Sequence, residues 1–173
     1  MIPLKEATET KHKIAERMLF NQQMFRGKLT KEQYGAYLRS QLEIFSTLEE
    51  NFKFPHEGLK RKDAVTLDLI ELNENQLEVL DNATYEYCLY LKELGEDSAM
   101  PHIYLNYLAI MFGGQIIKSK VPGSGRMYEF DDMTEIAKSI RDIQRDDWAD
   151  EVNKGFDFMI NILKDLEKWL TTP

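Results

Sequence analysis

A single cysteine, Cys88, in a chain of 173 residues excludes an intramolecular disulfide and any all-cysteine metal site, which suits a reducing compartment. Basic blocks are missing too. The net charge is −8, so nucleic acid and an anionic membrane are both poor partners, although Lys11, Lys13 and Arg17 form a local basic patch. No long apolar run exists. The longest, around Ile103 to Phe112, is too short to span a bilayer, and charges begin at Lys5 without a secretory pattern. The chain therefore reads as soluble and cytoplasmic, and as one domain over residues 1–173. Period-two alternation, Asn-Gly hairpins and a βαβ rhythm are also absent, which removes the β and α/β classes.

Helical signals fill the space these absences leave. Leu4, Thr8, His12, Ala15 and Leu19 share one face, which predicts a helix from Pro3 to Leu19. Gly27 breaks the chain before Thr30-Lys-Glu-Gln33, a capping box that opens a long helix through Tyr34, Leu38, Gln41, Phe45, Leu48 and Phe52. "KFPHEG" ends it. A short helix fits Asp63 to Leu72, interrupted by "LNENQ". Asn82 is the expected cap of the next, with Gly95 its stop. Ser98 and Pro101 open a buried helix that "VPGSG" closes. Asp132-Met-Thr-Glu135 starts another, running to near Arg145, and the last begins near Asp147. The expectation is an all-α bundle of seven to eight helices.

Histidine is scarce, with three copies. His12 lies on an otherwise apolar or small helix face, where an imidazole either ligates a metal or bonds to a neighbour. His56, in a loop, and His102, near a helix start, read as structural or solvated. Glu9-x-x-His12 has the spacing of di-iron bundles, but no second copy exists. Cys88 reads as a small core residue. The buried segment "HIYLNYLAIMFGGQIIKSK" holds the adjacent glycines Gly113 and Gly114. Each interior glycine costs a helix roughly 1 kcal/mol against alanine, so something must approach closely there: another helix, or a flat ligand.

Four stretches together carry a family resemblance. "LKEATETKHKIAE" resembles the proximal helix of the haem (heme) oxygenases, and "FRGKLTKEQYGAYL" their second segment. "YLNYLAIMFGGQIIKSKVPGSG" is similar to their distal helix, and "DEVNKGFDFMINILKDLEKW" to their last. The likeness covers most of the chain, least clearly from Phe54 to Leu80. It implies a haem-oxygenase-like bundle with haem b sandwiched between proximal and distal helices. It further implies His12 as iron ligand, Lys5, Tyr104, Lys138 and Arg141 toward the propionates, and Gly113 and Gly114 against the haem face. The implied activity is cleavage of haem to biliverdin, carbon monoxide and iron, with O2 and electrons from a ferredoxin or reductase.

One departure runs through the distal segment. Family members read Gly-Asp-Leu-Ser-Gly-Gly-Gln where this chain reads Ala109-Ile110-Met111-Phe112-Gly113-Gly114-Gln115. The family's aspartate holds a water network that delivers protons, and isoleucine neither accepts a hydrogen bond nor orders water. Catalysis would then fall to Asn106, Gly113 and Gln115, with Asn106 or Tyr107 holding a substitute water. Two readings stay open beside the oxygenase. One is a haem carrier, sensor or pseudo-oxygenase without turnover. The other is a thiamin-degrading hydrolase of similar architecture, for which a reactive cysteine with acidic partners is wanting.

Overall fold

In a computed structural model the described residues are 1–75 and 82–170, and among them lie eight α-helices and no strand. The first helix, α1 (Leu4–Arg17), begins one residue after Pro3, and the Leu4 N–H is held by Asp146 Oδ1 at 2.9 Å. It does not reach Leu19. Met18 turns to extended angles (φ −59°, ψ 141°) and the chain restarts as α2 (Leu19–Phe25), which the sequence reading lacked. No glycine or proline marks that break. It is set by burial of Phe20 and Met24, while the Asn21 amide covers the freed Ala15 carbonyl at 2.9 Å. Gly27, at φ +66°, then ends α2. Lys28 N–H reaches the Gln23 carbonyl and Gly27 N–H that of Met24, a closed helix terminus that needs a left-handed residue.

The long helix α3 (Lys31–Asn51) starts with the full capping box: Gln33 N–H donates to Thr30 Oγ1 at 3.2 Å, and Thr30 N–H to Gln33 Oε1 at 2.9 Å. Next, α4 (Lys62–Glu71) stops where Asn73 takes φ 57°, at the expected interruption; the end of "LNENQ", at residue 76, lies outside the described residues. Helix α5 (Asn82–Lys92) has the Ala83 N–H covered by Asp165 Oδ2 from the last helix. Gly95 is not a left-handed stop for α5. At φ −81° and ψ 170° it is the N-cap residue of α6 (Glu96–Ile117), which starts earlier than Ser98 and keeps Pro101 inside. Asp132 caps α7 (Met133–Arg141) through Glu135 N–H at 3.1 Å, and the helix stops at Arg141, short of Arg145. A 3-10 turn at Asp146–Trp148 leads into α8 (Ala149–Leu166).

Helix α8 is the hub, packed against α1, α2, α3, α5 and α6. Its buried side chains Val152, Phe156, Ile162, Leu163 and Leu166 supply the surface on which α1 and α6 come to rest. Cys88 is buried in the core, as expected. No helix among the described residues is long and apolar enough to cross a membrane.

Candidate functional site

Between α1 and α6 the bundle leaves a cavity of about 650 Å³, within the range of roughly 300–1,000 Å³ usual for small-molecule sites. Its floor comes from Phe156, Met159 and Leu163 of α8 and from Tyr37 and Ile44 of α3. On the α1 side stands His12. The helix face that buries Leu4, Thr8 and Ala15 opens at His12, whose side chain is 57% exposed. Its Nε2 lies 3.0 Å from Glu16 Oε1, and its ring stacks on Phe156 at 5.7 Å. So His12 faces open space with one side of the ring packed.

Across the cavity, α6 presents Ala109, Ile110, Phe112, Gly113 and Gly114. The two glycines answer different needs. A Cβ on Gly114 would sit 2.2 Å from Tyr128 Cδ1, so this glycine lets the buried Tyr128 ring lie on the helix. A Cβ on Gly113 would meet nothing within 4 Å, and because Gly113 lines the cavity, that methyl would enter the free space. Ile110 is 6% exposed and adds only hydrocarbon to this wall.

Two cations line the cavity. Lys5, Tyr104 and Arg141 all line the cavity, with the Arg141 guanidinium 4.8 Å above the Phe112 ring. Burial raises the Tyr104 hydroxyl pKa while the charge of Arg141 opposes it. Lys138 is not brought there. It pairs with Asp142 one turn on and lines a neighbouring hollow that shares Phe112 and Arg141 with the cavity. Gln115 also stands off the cavity wall, its amide spent on the carbonyls of Met111 (3.2 Å) and Tyr128 (3.1 Å). The basic patch near His12 is interleaved with acid: Lys11 meets Asp157 at 2.6 Å and Lys13 meets Glu9 at 3.1 Å.

Asn106 does line the cavity, and it opens onto a polar chain that sequence reasoning passed over. Its amide donates to the Tyr87 oxygen at 3.0 Å. The Tyr87 hydroxyl lies 2.7 Å from His102 Nδ1, and His102 Nε2 lies 2.8 Å from Glu151 Oε2. Tyr90 donates to the same carboxylate at 2.8 Å. Burial pushes the His102 pKa down against the pull of Glu151. Burial alone would raise Glu151, but hydrogen bonds from His102, Tyr90 and Lys154 together hold it below the usual range. The pair is a neutral imidazole on a carboxylate. His102 and Asn106, spaced i,i+4 in an apolar helix, were the available signal, since a polar pair on a buried stripe needs partners.

Comparison with known proteins agrees with the helical fold. The model of the heme oxygenase family matches residues 2–164. Among curated relatives, heme oxygenase of Guillardia theta is 25% identical over 75% of this chain and 65% of its own length. Heme oxygenase 1 of Pongo abelii is 29% identical over 80% of this chain and 56% of its own. The chain thus spans less than two thirds of the length of these relatives. Among solved structures, heme oxygenase-1 from the cyanobacterium Synechocystis in complex with heme superposes with a TM-score of 0.83 at 23% identity, covering 96% of this chain and 91% of that one. The heme oxygenase from Leptospira interrogans gives 0.78 at 22% identity, covering 94% and 97%.

Proposed function

The chain belongs to the heme oxygenase family, and from that premise we propose that it is one helical domain that opens haem to biliverdin, carbon monoxide and ferrous iron. The single observation that carries this reading is the cavity itself: an apolar slot with His12 on one wall and a bare glycine backbone on the other. A flat macrocycle is the ligand such a slot accepts, and the space beside Gly113 is what a Cβ would take away. Bound haem supplies the iron at which O2 is activated, with electrons from a ferredoxin or another donor.

This chain's residues do the rest. His12, whose Nε2 rests 3.0 Å from Glu16 Oε1, would hold the iron. Lys5 and Arg141 neutralise two propionates, since carboxylates leaving water need charged partners, and Tyr104 donates a hydrogen bond beside them. Ile110 and Phe112 keep bulk water from the reacting face. Asn106, with its amide fixed by Tyr87 and the His102 carbonyl, is the polar side chain one turn from Ile110 that orders water in place of an aspartate.

Ile110 also favours a second reading, a haem-binding protein that holds the macrocycle without opening it. One assay separates the two. Haem-loaded protein supplied with a ferredoxin reducing system under air is expected to yield biliverdin, identified by chromatography and absorption. Haem that survives intact, with reductant consumed, would leave the carrier or sensor reading.

A further inference from the structure

The chain of side chains behind α6 has one consistent proton arrangement. The Asn106 amide can only donate, so the Tyr87 oxygen accepts there. Glu151 is ionised, so the proton on the His102 ring sits at Nε2 and faces the carboxylate at 2.8 Å. That leaves Nδ1 bare, and the Tyr87 O–H donates to it at 2.7 Å. Tyr87 and His102 are both fully buried, while Glu151 keeps 22% of its side chain in solvent. Helix α8 makes room for the ring: a Cβ on Gly155 would stand 3.1 Å from His102 Nδ1 and 2.5 Å from a Leu105 methyl.

A buried phenol that hands its proton to a neutral imidazole, itself backed by a carboxylate, is poised to lose an electron. We propose that Tyr87 is a redox-active tyrosine, giving an electron to haem that has been oxidised by a peroxide and its proton to His102. The Tyr87 O–H bond breaks, the electron leaves for the oxidised haem, and the proton forms a new N–H bond at Nδ1. A neutral tyrosyl remains beside an imidazolium that still donates to Glu151, and a returning electron brings the proton back. The inference rests on the haem-binding part of the proposed function.

Position and chemistry both select Tyr87. It lines the cavity, and its ring stacks on Phe158 at 4.8 Å, away from solvent. Burial raises its pKa, so it does not ionise unaided and gives up its proton only together with the electron. Two other cavity-wall tyrosines have different partners: the Tyr37 oxygen accepts from Gln41, and the Tyr128 hydroxyl points at the Met24 sulfur. The titratable groups facing this pair are Cys88 and Tyr90 on α5 and Glu151 and Lys154 on α8. In this setting a tyrosyl drains oxidising equivalents that escape ring opening.

The test mixes ferric-haem-loaded protein with hydrogen peroxide, freezes it within seconds and records electron paramagnetic resonance. Wild type is expected to show a tyrosyl signal whose splitting collapses with ring-deuterated tyrosine, and Tyr87→Phe to lose it. His102→Gln keeps Tyr87 but removes the base, and should shift the g-tensor and reduce the yield. Yield in wild type should also fall in acid, where an already protonated His102 accepts nothing. Haem absorption and circular dichroism verify that each variant is loaded and folded. An unchanged signal in Tyr87→Phe, or one indifferent to His102→Gln, would overturn the assignment while leaving haem binding intact. In haem-free protein, nitrogen-15 resonance should find His102 as the Nε2–H tautomer, and the opposite tautomer would also overturn it. Failure of the wild type to bind haem at all would instead reject the proposed function, and this inference with it.

Discussion

The two walls of the cavity are built by opposite means. The α1 wall rests on α8 through Leu4, Thr8 and Ala15, but around His12 its side chains meet only exposed partners: His12 beside Glu16, Lys13 with Glu9, Lys11 with Asp157. Exposed pairs of this kind contribute about 0–1 kcal/mol each. The α6 wall is held by burial, with Ile103, Tyr107 and Met111 fully enclosed and His102 tied into a hydrogen-bonded chain. What differs is tolerance. The α1 wall can trade one partner for another at little cost, as a ligand-exchanging histidine requires. The α6 wall fixes a surface and resists change.

The strongest test of that contrast is Gly114→Val. Its Cβ would fall 2.2 Å from the Tyr128 ring, which is 2% exposed and has nowhere to go. Overpacking of this kind costs about 1–3 kcal/mol or more, so calorimetry should show a fall of several degrees in Tm before any haem is added.

His12→Ala on the other wall should leave the melting temperature of the haem-free protein within the small range usual for exposed positions, about 0.5 kcal/mol. It should nonetheless abolish the histidine-ligated ferrous haem spectrum, with added imidazole partly restoring it. A spectrum unchanged from wild type would move the ligand elsewhere.

Acid should separate the walls more gently. His102 has its pKa depressed below 6.5 by burial, so the folded state binds fewer protons than the unfolded chain. Its contribution to stability is therefore present above about pH 6.5 and declines as pH falls toward the folded pKa. Glu151, also depressed, adds a loss that sets in below its unfolded value, near pH 4.5. Thermal melts from pH 7.5 to 5 should show declining Tm in wild type and a flatter slope in His102→Gln; equal slopes would mean that His102 is not the titrating group.

Smallest of all should be Lys138→Ala. With its side chain 70% exposed and paired to Asp142, it should alter haem affinity by less than twofold, whereas Arg141→Ala should weaken it measurably in the same titration. Equal losses would bring Lys138 into the anchoring set.

Much of this molecule was legible along the chain. The capping box at Thr30, the cap at Asp132 and the amphipathic run through Phe156 are local patterns, and local hydrogen bonds or helical periodicity enforce them. His12, Gly113 and the cations Lys5 and Arg141 were equally visible through the family pattern, and all of them line the cavity. The break at Met18 was not, because its cause is the burial of Phe20 and Met24 in a core assembled from distant elements. Gly95 was misjudged for a related reason: a glycine between two helices suits either terminus, and only the backbone angles choose.

By itself, then, the order of residues determined most of the helices, the caps at Thr30 and Asp132 and the identity of the groups offered to a ligand, since each depends on neighbours within a turn or two. Tertiary structure alone decided which of those groups meet. Asn106, Tyr87, His102 and Glu151 come from three helices far apart in sequence, and only the seating of α6 against α5 and α8 brings them within hydrogen-bond reach. Gly113 and Gly114, adjacent in sequence, were divided in role by the same assembly, because Tyr128 happens to cover one and the cavity the other. Side-chain packing acts over a few ångströms of space and is indifferent to separation along the chain, so a site of this kind exists only once the helices have found one another.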